Sequence, residues 1–233
     1  MSKIRVVSFD ADDTLWHNEQ YFLDAQEKFW HLMEDFLPAH SSAQELMKTE
    51  LQNIQLYGYG IKAFILSMIE ASIKISDGRI NSRGIETIIS FGKDMLDKPV
   101  EVIDGVQSVL EQLHGSYRLV VTTKGDLLDQ ERKLQKSGLA DYFHHIEIVS
   151  DKTEQEYRKL IRHLDIESEE FLMIGNSLRS DILPVLNIGG YGVHVPYHTT
   201  WAHEQIDHEI EHQKFRELAS ISQLPAVLSD LYS

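Results

Sequence analysis

The chain has 233 residues, 42% of them hydrophobic and 25% charged, a balance that allows one sizeable buried core or two unequal ones. With 22 Lys and Arg against 37 Asp and Glu, its net charge of −15 repels phosphate backbones and anionic lipid, arguing against nucleic acid or membrane as the main partner. It has no cysteine, so disulfides and thiolate chemistry are excluded. Without a signal-like stretch or a run of about 18 apolar residues, a cytoplasmic location is expected.

Residues 3–9, KIRVVSF, form a short β-branched and apolar run that reads as a buried strand, and it ends abruptly in Asp10, Asp12 and Asp13. From Asn18 to about Lys98 the pattern turns helical. Leu23, Phe29, Trp30, Met33, Phe36 and Leu37 make a first apolar stripe that stops before Pro38. A second helix is expected to be capped at Ser41 or Ser42 and broken by Gly58 and Gly60. IKAFILSMIEASIKIS supplies a third and NSRGIETIISFGKDMLD a fourth, closing before Pro99.

Beyond Pro99 strands and helices alternate. VIDGVQSVLEQLHG reads as helix, 117–122 as strand, LLDQERKLQKSGL as helix and 145–149 as strand. TEQEYRKLIRHL is then a helix, 170–175 a strand, SDILPVLNIG a helix and 191–195 a strand. Strands alternating with helices of about 10 to 15 residues predict βαβ units and a parallel sheet. The fold expected is α/β, a Rossmann-like parallel sheet flanked by helices with an inserted all-α cap of four helices. The core is placed at 1–15 and 99–233, the cap at 16–98.

Ligands of open parallel sheets bind beyond the carboxyl ends of the strands. Behind the first strand stand Asp10, Asp12 and Thr14; behind the second, Thr122, Thr123 and Lys124. Lys152 follows the third, and Asn176, Ser177 and Asp181 follow the fourth. Singly, each has an ordinary explanation as a turn, cap or surface residue. Together they bring carboxylates, hydroxyls, an amide and an ammonium to one sheet edge.

In that order FDADDTL, VVTT, Lys152 and GNSLRSD resemble the four motifs of the haloacid dehalogenase-like (HAD) hydrolase superfamily, and the helical insert falls where its C1-capped phosphatases carry their cap. The resemblance implies a Mg²⁺-dependent phosphomonoester hydrolase acting on a small phosphorylated metabolite. Asp10 would be the nucleophile that forms an aspartyl-phosphate. Asp12 would protonate the leaving oxygen and later deprotonate water. Thr122, Thr123 and Lys152 would hold the phosphoryl oxygens. Asp10, the Asp12 carbonyl, Asn176 and Asp181 would hold Mg²⁺, directly or through water.

Two positions depart from the family pattern. Asp13 stands where Gly is common, and Asn176 where Asp is usual, which removes a formal charge facing the metal. Lys159 and Lys124 are alternatives to Lys152 as the phosphate lysine. A phosphomutase shares the whole residue set. A 2-haloacid dehalogenase would need neither Asp12 nor Mg²⁺, and a binding protein on the same scaffold would need no turnover.

Two further stretches stand out. YGYGIKAF (57–64) offers Tyr57, Tyr59 and Lys62 either to a substrate leaving group or to packing at a helix break. In the histidine-rich segment 194–212, His208 and His212 are spaced i, i+4 as on a solvated helix or, alternatively, a zinc site. Pro196, Tyr197 and Trp201 follow the last strand as packing or as a rim to the site.

Overall fold

The computed structural model describes residues 4–199, 201, 204 and 206–230. The chain divides into two compact units, one of Met1–Glu19, Val100–Lys124 and Gln130–Ser233, the other of Gln20–Pro99 with Gly125–Asp129.

The first unit is built on six parallel strands: β1 (Val6–Phe9), β2 (Arg118–Lys124), β3 (His145–Val149), β4 (Phe171–Gly175), β5 (Tyr191–His194) and β6 (Phe215–Glu217). Their order is β3-β2-β1-β4-β5-β6, as the alternating pattern predicts for a doubly wound sheet. The N-terminal strand lies at the centre, with Phe9 level with Val121 on one side and Ile174 on the other. Buried on both faces, β4 and, but for Ser8, β1 read as continuous apolar runs rather than alternating ones. One face packs Val7, Phe9, Leu119, Val121 and Leu172 against helix residues such as Val109 and Leu110. The other sets Val6, Val120 and Met173 against Tyr157, Leu160 and Val185.

Crossovers are made by α5 (Val106–Leu113), α6 (Leu127–Ser137), α7 (Glu154–His163) and α8 (Leu183–Asn187), and α9 (Leu224–Asp230) closes the fold. Thr153 caps α7 by accepting from the Glu156 amide. Gly138 ends α6 at φ +71°, a conformation for which Gly lacks the steric penalty. The edge strand β6 was not foreseen; FRE is short and mostly exposed, so it carries no apolar signal.

The second unit holds α1 (Glu19–Met33, whose first residue belongs to the other unit), α2 (Ala39–Tyr57), α3 (Ile61–Ile75) and α4 (Ser82–Asp97). Phe29, Met33, Leu46, Phe64, Met68 and Ile88 form its core. The second helix starts earlier than the serines suggested. Pro38 occupies its N-cap with no side-chain cap bond, while the Ser42 hydroxyl donates back to the Leu37 carbonyl. Among the described residues no helix is long and apolar enough to cross a membrane.

Candidate active site

The chain delivers its polar residues at the carboxyl ends of β1, β2 and β4 and just before α7. β1 stops at Phe9, and the Asp10 amide still donates to Ile174 O at 2.8 Å, so the sheet fixes the Asp10 backbone. The Lys152 ammonium bonds Asp10 Oδ1 and Asp181 Oδ1, the latter at 2.6 Å. The Asp10 side chain is 10% exposed, that of Asp181 1% and that of Lys152 2%. Asp181 Oδ2 accepts the Ser177 amide at 3.0 Å. A Cβ at Gly175 would lie 2.1 Å from that same Oδ2, which explains the glycine at the end of β4.

Two buried carboxylates therefore share one cation. Burial pushes the Asp10 carboxyl up to about 7; Lys152 pulls it down, and Asp181 adds to the rise. Lys152 is raised above its ordinary value, because its two carboxylates outweigh the burial that opposes its charge. One negative charge remains uncompensated, to be met by a proton or a further cation.

Thr14 stands between two oxygen donors. Its hydroxyl lies 3.3 Å from Asp10 Oδ2 and 3.4 Å from Asn176 Oδ1. A hydroxyl has one proton to give, so it can satisfy only one of these two oxygens at a time. A carboxylate and an amide oxygen suit a hard cation such as Mg²⁺. The Asp181 oxygens are already engaged by Lys152 and Ser177, so in this arrangement Asp181 chiefly supplies charge. The Asn176 carbonyl lies 3.1 Å from His194 Nε2, and His194 Nδ1 lies 2.9 Å from Glu217.

The remaining sequence candidates are placed as follows. Thr122 shares a 2.7 Å hydrogen bond with Ser8 on β1. Thr123 Oγ1 accepts from Gln130 Nε2 at 2.9 Å, and the same nitrogen reaches Asp12 Oδ2 at 3.0 Å. Asp12 Oδ1 accepts from Trp16 Nε1 at 2.7 Å and from Lys133 Nζ at 2.6 Å. Asp13 adopts φ +63°, and its carboxylate accepts from the Asn18 and Glu19 amides. Burial lifts Asp13 to about 6, against the pull of the Asn18 amide. Burial, with Asp13 and Asp12, lifts Glu19 to about 8.

The alternative lysines lie elsewhere. Lys159 pairs with Glu156 at 2.6 Å on the surface. Lys124 reaches Glu204 at 2.5 Å and Ser180 at 2.9 Å. Glu204 also accepts from the Ser177 and Ser180 hydroxyls. Burial disfavours its charge, yet Lys124 and these donors hold it at about 2. Sequence reasoning missed Trp16, Gln130, Lys133, His194 and Glu204 as partners of this edge. Only the i, i+3 spacing of Gln130 and Lys133 on α6 offered a signal.

Residues 206–214 are not helical, so His208 and His212 share no helix face. His208 faces Asp207, and His212 Nδ1 accepts the Lys214 amide. Among the described residues no cluster of three His, Asp or Glu side chains suited to a metal occurs. Tyr197 bonds His17 Nδ1 at 2.6 Å. In the second unit Tyr57 donates to Glu70 at 2.6 Å and Lys62 to Asp126 at 2.8 Å, with Gly58 and Gly60 both at positive φ.

The profile of the haloacid dehalogenase-like hydrolases matches residues 4–189. The chain belongs to that family. A haloacid dehalogenase-like hydrolase from Xanthomonas campestris is 40% identical, with a TM-score of 0.89 over 98% of this chain and 91% of its own. The HAD-hydrolase YfnB from Bacillus subtilis, solved bound to magnesium, shares the fold at 16% identity and a TM-score of 0.70, over 98% of this chain and all of its own. Glyceraldehyde 3-phosphate phosphatase from Pyrococcus abyssi is 30% identical over 94 residues, a stretch covering 37% of this HAD hydrolase and 39% of that protein.

Proposed function

We propose that this hydrolase cleaves small phosphate monoesters with Mg²⁺, through an aspartyl-phosphate on Asp10, in the manner of the C1-capped phosphatases. The observation that carries the reading is the buried, charge-deficient pairing of Asp10 and Asp181 around Lys152, beside a separately held Asp12. The phosphatase from Pyrococcus abyssi and the magnesium-bound Bacillus subtilis relative support it.

Asp10 attacks phosphorus, and the bond to the leaving oxygen breaks as Asp12 gives that oxygen a proton. Asp12 then takes a proton from water, whose oxygen displaces Asp10. Lys152 offsets charge on the nucleophile and the transferring group, with Thr122 and Thr123 at the adjacent strand end. Asp10, Asn176 and the Asp12 carbonyl, with Asp181, would hold Mg²⁺, which would supply Lewis-acid neutralisation of phosphoryl charge. A 2-haloacid dehalogenase would leave Asp12 idle; the three donors around Asp12 favour the phosphatase reading over it.

The test is phosphate release from a panel of phosphorylated metabolites, with Mg²⁺ and with EDTA. Activity in Mg²⁺ that chelator abolishes is expected, as is phosphoenzyme trapped on Asp10 in Asp12→Asn. Full activity in EDTA would remove the metal, and a panel without phosphate release would remove the phosphatase.

A further inference from the structure

The Asp12 carboxylate has unequal oxygens. Oδ1 takes two strong donors, the Trp16 indole at 2.7 Å and the Lys133 ammonium at 2.6 Å. Oδ2 faces Gln130 Nε2 at 3.0 Å, but that nitrogen also serves Thr123 Oγ1 at 2.9 Å and Lys124 O at 2.7 Å. An amide nitrogen has two protons for these three acceptors. The amide orientation is fixed, since turning it over would set an oxygen against two groups that can only accept, Asp12 Oδ2 and Lys124 O. The cost is Gln130 Oε1, buried with no hydrogen-bond partner.

Lys133 is itself tied to Asn18 Oδ1 at 3.0 Å. Its side chain is 15% exposed and that of Asp12 25%, so the pair is shielded well beyond a surface ion pair. A proton on Oδ1 would point into two N–H donors. Oδ2 is the oxygen with room for it.

We propose that Lys133 is a positioning residue for Asp12, locking the carboxylate so that Oδ2 gives the proton to the leaving oxygen and later takes one from water. This rests on the phosphatase reading. As the phosphorus–oxygen bond breaks, the Oδ2–H bond breaks with it and the leaving group departs as its alcohol. In the second half Oδ2 gains the proton of the attacking water, which restores the starting state.

The experiment compares first-turnover rates of an alkyl phosphate and an activated aryl phosphate in Lys133→Met, Lys133→Arg, Asp12→Asn and the Lys133→Met/Asp12→Asn double variant. General acid assistance is worth about 10² to 10⁴, so Lys133→Met should lose roughly tenfold to a hundredfold on the alkyl ester and less than about threefold on the aryl ester. Lys133→Arg, which keeps a donor and a charge, should recover most of the loss. In the Asp12→Asn background Lys133→Met should add almost nothing, because residues acting as one unit are non-additive.

Equal losses on both esters, or single losses that multiply in the double variant, would overturn the proposal while leaving the phosphatase reading intact. Asp12→Asn indifferent to the leaving group would remove the acid/base role, and the Lys133 proposal with it. If Lys133→Met does not fold, Lys133→Gln carries the same comparison.

Discussion

Replacing Asp10 with Asn should abolish turnover and at the same time stabilise the metal-free protein at alkaline pH. The carboxyl goes from an ordinary value of 3.8 to about 7 in the folded chain. Between those values the folded state holds a proton that the unfolded chain has released, so stability falls as pH rises through this window. At about 1.36 kcal/mol per pH unit, the whole window amounts to about 4 kcal/mol, of which about 3 lies between pH 5 and 8. The Lys152 value is also raised, but a raised lysine stays charged throughout this range and adds no slope.

Asp13 and Glu19, both raised, tilt stability in the same direction as Asp10. They are present in both proteins, so the difference between wild type and variant isolates Asp10. Urea unfolding in EDTA should show the lead of Asp10→Asn over wild type growing by about 3 kcal/mol from pH 5 to pH 8. Mg²⁺ at pH 8 should raise the wild-type midpoint more than that of the variant, because a ligand of the folded state stabilises by mass action. A lead that stays constant across the range, or shrinks with pH, would refute the charge deficit at Asp10.

Asn176→Asp returns a formal charge beside Asp10 Oδ2, so the Mg²⁺ concentration for half-maximal activity should fall by roughly tenfold, about 1.4 kcal/mol, in a metal titration. Complete loss of activity would instead give Asn176 a role that needs its amide. Glu204→Ala strips the partner from Lys124 in a pair whose side chains are 15% and 13% exposed, so urea unfolding should show a loss of about 3 kcal/mol. Most of that loss should return in a Glu204→Ala/Lys124→Met double variant, and strictly additive losses would count against the pair.

Much of the sheet could be read from the chain because its signals are local. Apolar runs bounded by Gly, Pro and Asp mark β1 to β5, and the residues after them reach the same edge because parallel strands all point one way. What escaped notice lies across the fold. Gln130 and Lys133 come to Asp12 from a helix well over a hundred residues downstream, and no local pattern names that partner. Glu204 sits in a polar, histidine-rich stretch whose composition suggested a solvated helix, yet its carboxylate is fixed by Lys124, Ser177 and Ser180. Residues 125–129 group with the helical unit, although by sequence they merely continue from β2 into α6. The serines expected to cap α2 lost to Pro38, whose fixed φ starts the helix without a side-chain bond.

Asp13 shows how a substitution that looks neutral in sequence acquires a reason. A residue at φ +63° pays for the left-handed conformation unless it is Gly, with Asn and Asp the least penalised of the others. Gly would therefore satisfy the backbone, but it has no carboxylate to receive the Asn18 and Glu19 amides at the start of α1. A cap of this kind is worth about 1 kcal/mol, comparable to the backbone cost it offsets. The balance is tighter because burial already lifts Asp13 to about 6, weakening it as an acceptor once it protonates. Aspartate at this turn thus holds the end of the loop behind β1 to the Asn18 and Glu19 amides, while Asp10 and Asp12 on the same loop face different cations. The three neighbouring aspartates behind β1 have three separate charge environments: Lys152 at Asp10, Lys133 at Asp12, and the first amides of α1 at Asp13.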